Sequence, residues 1–526
     1  MTLLAMAIAA LCVAAGVTLF ERTLIGGGQE RRVRRSAVAG AFYPANPAEL
    51  GKMIGDFLSG AAPPPLDDVV AITAPHAGYS FSGSVAAYSY ALLQGRKFDR
   101  VVVIAPSHYE AFGFSSVYDG AAYSTPFGEV PVDQEFAAKL AKMSPAIKLS
   151  GIGHTPSPDH PEHALEVQLP FLQRVLGPFL LVPVVVGDQS YASCRALGLA
   201  LAKLVAGTHT LIVASSDLSH YHTYAEAVAL DRRTLRGIAE YDYFNLARNL
   251  ELRVWEACGG GPIVAAMIAA ERLGASEAKL LRYANSGDTG GGRSRVVGYS
   301  AVAFIRNVKP GNTAEEGFSL AQPEKDALLT IARRSVESAV REGNKYECSA
   351  GGLDALTHER GAFVTLTEHG QLRGCIGYVA PIKPLYLTVR DVAVMAALRD
   401  TRFRPVAASE LEDLEYEISV LSPLRRVRDV REIQIGLHGL LIHQDGYEGL
   451  LLPQVASEAQ WDRATFVEQT CSKAGLAANA WQDPAADLFR FTALVFGEVP
   501  RRSRRAAIAH PRLSPPPRGA PRYRRS

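Results

Sequence analysis

Histidine and aspartate side chains follow four β-branched runs in the first half of the chain. In open α/β sheets, ligands bind beyond the carboxyl ends of strands, where loops from neighbouring strands converge. We therefore expect these side chains to meet in one site. The runs and the residues that follow them are 69–74 with His76, 100–105 with His108, 180–186 with Asp188, and 210–215 with Asp217 and His220.

The residue types favour a metal site at that edge of the sheet. Neutral imidazole is the commonest side-chain ligand for metals, and three protein ligands leave coordination positions for water, oxygen or substrate. We expect His76 and His108 to be two of the ligands. Spacing alone leaves the third ligand open among Asp217, His220, Glu166 and Cys258.

Two further stretches supply pocket candidates. In 162–171, EHALEVQLPF, His163 and Glu166 lie three residues apart, a spacing that places both on one face of a helix. We take them, with Asp188, as pocket residues; the alternative is a salt-bridged surface turn. Cys258 precedes three glycines, which would let backbone approach a bound group, and its alternative role is that of a small buried residue near a turn.

The elements that must position these residues alternate between short apolar runs and longer helical patterns. From Ala37 to about Val308 this alternation predicts an α/β domain with a central sheet, and the polar segment 307–317 predicts a linker. A mixture of helices and strands from Ser319 to Val499 predicts an α+β domain. The main predicted strands are 69–74, 100–105, 180–186, 210–215, 296–304, 362–368, 415–422 and 439–444, and the predicted helices of the second domain are 322–342 and 385–400.

Composition limits the class of protein. A chain of 526 residues with 48% hydrophobic and 21% charged residues predicts two or three globular domains and excludes global disorder. The net charge is +2, yet 501–526 holds nine arginines and no acidic residue, so the body is acidic and nucleic acid is not its expected partner. Six cysteines without a CxxC pair favour a reducing compartment.

The two ends of the chain differ from the body. Residues 1–20 carry no charge and are long enough to cross a bilayer as a helix, and the arginines that follow predict cytoplasmic domains tethered to the inner membrane. A cleaved signal peptide and an extension from a misassigned start are the alternatives. The Arg- and Pro-rich tail, 501–526, is expected to be disordered, with contact to anionic lipid or RNA as its functional alternative.

One cysteine of the second domain is flanked by glycines. In 372–377, LRGCIG, the charge of Arg373 would lower the pKa of the Cys375 thiol and favour a nucleophilic thiolate. The alternative is a buried cysteine in a tight glycine turn, because no histidine is placed by the sequence to act as its base.

The motifs of the first domain together resemble the MEMO family, also called AmmeMemoRadiSam system protein B, over residues 34–306. The resemblance implies a three-layer α/β fold similar to class III extradiol dioxygenases, with a mononuclear metal held by His76, His108 and Cys258 and with Asp217 and His220 in the pocket. The motifs are AVAGAFYPANPAEL, PHAGY, APSHY, EHALEVQLPFL, SSDLSHY, CGGGPI and NSGDTGG with VVGYSAVAF.

The resemblance implies one difference from the dioxygenases: they have a carboxylate ligand where this family is expected to have a cysteine. That substitution makes the ligand set softer, favours iron or copper and argues against ring cleavage. The resemblance therefore implies a metal-dependent, dioxygenase-like redox protein with an unknown small-molecule substrate.

The second body resembles the AMMECR family, AmmeMemoRadiSam system protein A, over residues 322–500, with 307–321 as the linker. LRGCIG is the hallmark of that family. The family name implies a radical SAM protein as partner, and the absence of a CxxxCxxC motif means that this chain is not that component.

Three functional hypotheses follow. The first is a redox enzyme in which His220, oriented by Asp217, moves a proton beside an iron or copper ion. The second is a hydrolase in which the same ion activates water. The third is a binding or scaffold protein without chemistry, which would have no need for the full set of ligands.

Overall fold

The chain forms two compact units that divide between Val308 and Lys309. The computed structural model describes residues 32–155, 157, 159, 161–306 and 319–498. The apolar segment 1–20, the tail 501–526 and most of the linker 307–321 lie outside the described residues. Within the described ranges, no helix has both the length and the apolar character that crossing a membrane requires.

The first unit contains twelve strands among its described residues. Five of them fall within a residue of the predicted bounds, because they are long β-branched runs. The strands are β1 (Val33–Arg34), β2 (Val69–Ala74), β3 (Arg100–Pro106), β4 (Ser115–Val117), β5 (Ala122–Thr125), β6 (Gly128–Pro131), β7 (Ile147–Leu149), β8 (Leu180–Val186), β9 (Thr210–Ser215), β10 (His220–His222), β11 (Glu277–Asn285) and β12 (Val296–Ile305).

Helices connect these strands. A 3₁₀ turn at Glu166–Gln168 precedes the fourth helix. The helices are α1 (Pro47–Gly60), α2 (Tyr79–Ala91), α3 (Gln134–Ala141), α4 (Leu169–Leu176), α5 (Tyr191–Val205), α6 (Tyr224–Ala239), α7 (Tyr243–Glu251), α8 (Gly260–Arg272) and α9 (Ser286–Thr289).

A nine-stranded sheet forms the centre of the first unit. Its order is β10-β12-β2-β9-β3-β8-β4-β7, with β11 paired to β12, and the four strands β2, β9, β3 and β8 are mutually parallel. Every residue of β2 is buried, and so are Val101 to Pro106 of β3, which is typical of a parallel sheet covered on both faces. Three β-strands, β1, β5 and β6, form a separate small sheet.

The two faces of the central sheet are covered by different helices. Alternate residues of the parallel strands join α1, α2 and α4 in one core cluster, which includes Ile72, Val103 and Val213. Helix α8 packs on β2, β3 and β9 and also against α5. This layering leaves the carboxyl ends of β2, β9 and β3 side by side at one edge.

The second unit is an α+β body. Its predicted helix at 322–342 is confirmed at those bounds, and its predicted strand at 362–368 likewise. Its elements are α10 (Gln322–Glu342), α11 (Asp354–Thr357), β13 (Ala362–Glu368), β14 (Gln371–Tyr378), α12 (Leu385–Leu398), β15 (Leu414–Leu421), β16 (Arg425–Arg426), β17 (His438–Gln444), β18 (Tyr447–Leu451), α13 (Pro453–Glu458), α14 (Arg463–Lys473) and β19 (Asp487–Gly497), with 3₁₀ turns at Val430–Glu432 and Ala480–Gln482.

An antiparallel sheet of seven strands organises this unit, in the order β14-β13-β15-β19-β17-β18, with β16 paired to β19. Helix α12 packs on β13 and β14. The buried residues Leu366, Val389 and Ile418 belong to the cluster between this helix and the sheet.

Candidate metal centre

His76 and His108 follow the ends of two strands of the parallel sheet. β2 ends at Ala74 and β3 ends at Pro106, and both strands flank β9 in parallel. Parallel neighbours end at the same edge of a sheet, so both imidazoles lie at that edge. Cys258 reaches it from the turn before α8.

The three predicted ligands lie together. One ligand atom from each of His76, His108 and Cys258 falls within 4.8 Å of the other two. The Cys258 Sγ is 3.0 Å from the His76 Nε2, and the two imidazole rings have centroids 5.1 Å apart. Because metal bonds to nitrogen and sulfur are about 2.0–2.3 Å long, atoms this close could share one ion.

The orientation of His76 follows from the hydrogen bonds of Ser215. The Ser215 hydroxyl donates to the Ala164 carbonyl at 2.6 Å, so its oxygen accepts from the His76 Nδ1, which is 2.9 Å away. The Gln168 amide donates to the same oxygen. A neutral imidazole with its proton on Nδ1 keeps the Nε2 lone pair for a ligand, and that nitrogen faces Cys258.

His108 has an anionic partner in Glu162. The His108 Nδ1 is 3.1 Å from the Glu162 Oε1. Burial would raise the pKa of this carboxyl, but its hydrogen bonds to the ring and backbone of His108 and to the Ala164 backbone lower it to about 2. The carboxylate can only accept, so the proton of neutral His108 lies on Nδ1 and its Nε2 remains available.

Cys258 lies beside the backbone of Asp217 and is partly buried. Its sulfur accepts from the Asp217 backbone N–H at 3.3 Å, and burial raises the pKa of the thiol. A nearby cation reverses that effect and favours the thiolate. A Cβ on Gly259 would lie 2.1 Å from the Ser215 carbonyl oxygen, so only glycine lets this turn approach the strand end that carries the site.

Asp217 and His220 lie at the same edge but are not bonded to each other. The Asp217 carboxylate accepts from the His76 backbone N–H at 2.8 Å, and burial raises its pKa to about 7. The His220 Nδ1 lies 2.8 Å from the Leu218 carbonyl. The expectation that Asp217 orients His220 is therefore wrong: Leu218 orients the ring, and Asp217 instead holds the backbone that carries His76.

Of the three pocket candidates, His163 alone contacts the ligand cluster. Its ring stacks on His108 with centroids 4.9 Å apart and lies edge-on to His76 at 5.6 Å. The prediction that His163 and Glu166 share a helix face is wrong, because His163 lies in a loop before the 3₁₀ turn that contains Glu166.

The other two candidates have structural partners. Glu166 is fully buried, forms an ion pair with Arg34 and accepts from the Tyr43 hydroxyl. Asp188 accepts from the hydroxyls of Ser190 and Ser193 at the start of α5.

Sequence reasoning missed Glu162 and Ser215. Each contacts a predicted ligand through the ring nitrogen that faces away from the cluster. Ser215 is the last residue of β9 and Glu162 adjoins His163 in a loop, so a search for polar residues around the predicted ligands would have found them, but no spacing rule links them to His76 or His108.

The second-unit candidates lie on an edge strand. Cys375 is on β14, paired with Thr365 of β13, whose hydroxyl donates to the sulfur at 3.4 Å. The Arg373 guanidinium pairs with Glu410, with Nε 2.7 Å from Oε1, and does not hydrogen-bond to the thiol. The alternative of a tight glycine turn is wrong, because 372–377 lie within β14. Arg402 donates to the Cys375 carbonyl, and Asp400 accepts from the Cys375 N–H.

Comparison with known proteins gives two families for the two units. Residues 34–303 match the family described as Memo-like protein, and residues 329–496 match AMMECR1. A MEMO1 family protein of Methanopyrus kandleri is 36% identical over 285 residues, which cover 52% of this chain and 99% of the relative. One from Aeropyrum pernix is 38% identical over 284 residues, with 52% and 99% covered.

A solved structure is also similar. The crystal structure of an uncharacterized protein from Pyrococcus horikoshii is 36% identical, covers 35% of this chain and 96% of its own, and has a TM-score of 0.34. The family match spans the strand ends, the α8 turn and therefore all three clustered side chains. The chain belongs to the MEMO1 family and carries an AMMECR1 domain after its Memo-like domain.

Proposed function

We propose that the Memo-like domain holds one transition-metal ion on His76, His108 and Cys258 and uses it in redox chemistry on a small molecule. The convergence of two imidazoles and one thiol carries the proposal. Both imidazoles have their Nδ1 occupied by another residue, so each offers its Nε2. Two nitrogen donors and one sulfur donor suit iron or copper.

The donor set fits such an ion. When bound, iron or copper would supply one-electron chemistry and a Lewis acid for a substrate oxygen. His76 is 2% exposed, which keeps bulk water away from that side of the cluster. The likeness of the family to class III extradiol dioxygenases is consistent with a redox role.

The chain supplies proton-handling groups beside the cluster. Asp217, whose pKa burial raises to about 7, has its Oδ2 3.9 Å from the His76 Nε2. A carboxyl that titrates near neutral pH can both give and accept a proton. Asp217 and His220 are the groups that we propose to move protons to and from a bound substrate.

A metal-dependent hydrolase is the second candidate. Three protein ligands leave a position for water, and the Asp217 carboxyl could take a proton from it. A binding or scaffold protein without chemistry is a weaker candidate, because it gives no reason for bringing two imidazoles and a thiol together.

We also propose that a radical SAM protein is the partner of this chain. The combination of Memo-like and AMMECR1 domains in one chain supports a shared pathway, since fusion keeps two sites at high effective concentration. Calorimetric titration with the purified radical SAM protein of the same source organism tests it, and absence of binding with both proteins folded and cofactor-loaded would argue against it.

Metal analysis tests the central proposal. Full-length protein purified without oxygen should contain about one iron or copper per chain. His76→Ala and His108→Ala should lose it, whereas His209→Ala, at an exposed histidine, should keep it. Equal metal content in all four proteins would contradict the ligand assignment. Oxygen uptake with catechol-like compounds, compared with ester hydrolysis, would then separate redox from hydrolytic chemistry.

A further inference from the structure

One three-residue segment, Glu162 to Ala164, reaches both imidazoles of the metal centre. Its first residue bonds to the ring of His108. Its last residue accepts, through the backbone carbonyl, from the Ser215 hydroxyl that in turn accepts from His76. The segment lies in a loop before the 3₁₀ turn, outside every strand that carries a ligand.

The Glu162 carboxylate joins the segment to His108 in two ways. Oε2 accepts from the His108 backbone N–H at 2.6 Å, while Oε1 accepts from the ring at 3.1 Å. The same Oε1 accepts from the backbone N–H groups of His163 at 2.8 Å and Ala164 at 3.1 Å. One buried carboxylate thus fixes the backbone and the ring of a ligand together with its own loop.

The same hydrogen bonds argue against metal binding by a second cluster of side chains whose ligand atoms lie close together. Ligand atoms of His108, Glu162 and His163 lie within 4.8 Å of one another. Four hydrogen bonds already occupy the Glu162 oxygens, and the His108 Nδ1 is one of the donors. An ion there would have to displace several of these bonds, so the arrangement suits a carboxylate that positions a ligand rather than one that binds metal.

We infer that Glu162 is a positioning residue for the metal centre, and that the segment Glu162 to Ala164 sets the ring orientation and tautomer of both His108 and His76. The inference rests on the proposed metal site. A hydrogen bond to an anionic carboxylate is stronger than one to a neutral hydroxyl. The ring of His108, which pairs with Glu162, should therefore be held more firmly than the ring of His76, which pairs with Ser215.

Histidine tautomers give a test that needs no metal. In metal-free full-length protein labelled with ¹⁵N at histidine, long-range ¹H–¹⁵N spectra should show the Nδ1–H form for both rings. Glu162→Gln replaces one carboxylate oxygen by an amide NH₂ group, which can only donate. Its side chain therefore cannot accept from the ring of His108 on one oxygen and from the backbone of His108 on the other. We expect His108 to lose its single tautomer in Glu162→Gln, and His76 to lose its own in Ser215→Ala.

Metal affinity gives the second test. Glu162→Gln should weaken cobalt(II) binding by about 10- to 100-fold in competition with a chelator, and Ser215→Ala by about tenfold or less. Glu135→Gln, at an exposed carboxylate paired only with Lys139, should change neither tautomer nor affinity.

The outcomes separate the inference from the proposed function. If wild-type protein binds no cobalt(II), the metal site fails, and the tautomers still decide the positioning role. Wild-type tautomers and affinity in Glu162→Gln would overturn the inference. Should Glu162→Gln fail to fold, as judged by circular dichroism, Ser215→Ala serves as the test. An unchanged His76 tautomer in that variant would overturn the inference, because Ser215 links His76 to the Ala164 end of the segment.

Discussion

Cys258 and Cys375 show how different two glycine-flanked cysteines can be. The Cys258 sulfur lies 3.0 Å from an imidazole nitrogen that a distant strand supplies. The Cys375 sulfur has a threonine hydroxyl from the neighbouring strand of its own hairpin. The local sequence resembles a reactive site in both places. The Cys258 sulfur meets an imidazole from another strand end, whereas Asp400 and Arg402 bond to the backbone of Cys375.

The glycines beside the two cysteines also serve different ends. Gly259 lets the Cys258 turn approach the end of β9, which carries the site. A Cβ on Gly374 would lie 2.2 Å from the Ala396 carbonyl oxygen, so this glycine lets β14 pack against α12. The hallmark glycine before Cys375 is therefore explained by packing, without a bound ligand.

The largest expected effect separates the two thiols by metal binding. Cys258→Ser should weaken cobalt(II) binding by more than about 100-fold, because a serine hydroxyl does not ionise to replace the thiolate. Cys375→Ser should bind as wild type. Chelator competition measures both affinities, and the cobalt–thiolate absorption band should vanish in Cys258→Ser alone. Loss of the band in Cys375→Ser instead would reverse the comparison.

Acid should weaken the Memo-like domain through its buried histidines. Burial lowers the pKa of His154 to about 4, and its ring is paired with the Tyr123 hydroxyl and the Ser116 carbonyl. The unfolded chain takes up this proton near pH 6.5 and the folded one only near pH 4, so the free energy of unfolding falls as pH falls through that window.

For His154 alone the loss is about 3 kcal/mol over that window. Denaturant unfolding of metal-free wild type and His154→Gln, from pH 7 to pH 4, measures it. The variant should have a shallower pH dependence of the transition of this domain. Parallel curves for the two proteins would show that His154 is not held neutral.

The sequence predicts the strands far better than it predicts the residues that surround the candidate ligands. β2 and β9 are continuous apolar runs whose ends are set by the residues that follow them, so both are predicted correctly. The strand order β2-β9-β3 is set by tertiary packing and not by local sequence, and this order brings His76 and His108 together. The family resemblance, rather than residue spacing, selected Cys258 as the third predicted ligand.

The errors have local causes. The helix predicted from His163 starts instead at Leu169, with Pro170 in its first turn, a position where proline favours a helix start. Glu162 was missed because a loop has no periodicity to mark which carboxylate turns inward. The roles expected of Glu166 and Arg373 depended on partners, Arg34 and Glu410, that lie far away in sequence.

A smaller effect should confirm the packing role of Gly374. Gly374→Ala places a methyl group against the backbone of α12 and should destabilise the AMMECR1 domain by about 1–3 kcal/mol. Gly292→Ala, in the first unit, has no atom within 4 Å of the added Cβ and controls for a glycine-to-alanine change without a clash; it should leave the unfolding of the AMMECR1 domain unchanged. Denaturant unfolding of the full chain compares the two, and equal stability would mean that Gly374 is retained for a reason other than packing.

The smallest expected effect concerns the reactivity of Cys375 itself. The Thr365 hydroxyl donates to the sulfur, and a donor favours the thiolate, so Thr365→Val should slow labelling of Cys375 by iodoacetamide about two- to tenfold. Mass spectrometry of the labelled peptide distinguishes it from Cys348 and Cys471. Thr367→Val controls for the loss of a β13 hydroxyl, because Thr367 lies on the same strand as Thr365 and its hydroxyl faces Glu415 of β15. Equal rates in wild type and Thr365→Val would show that the Thr365 hydroxyl does not activate Cys375.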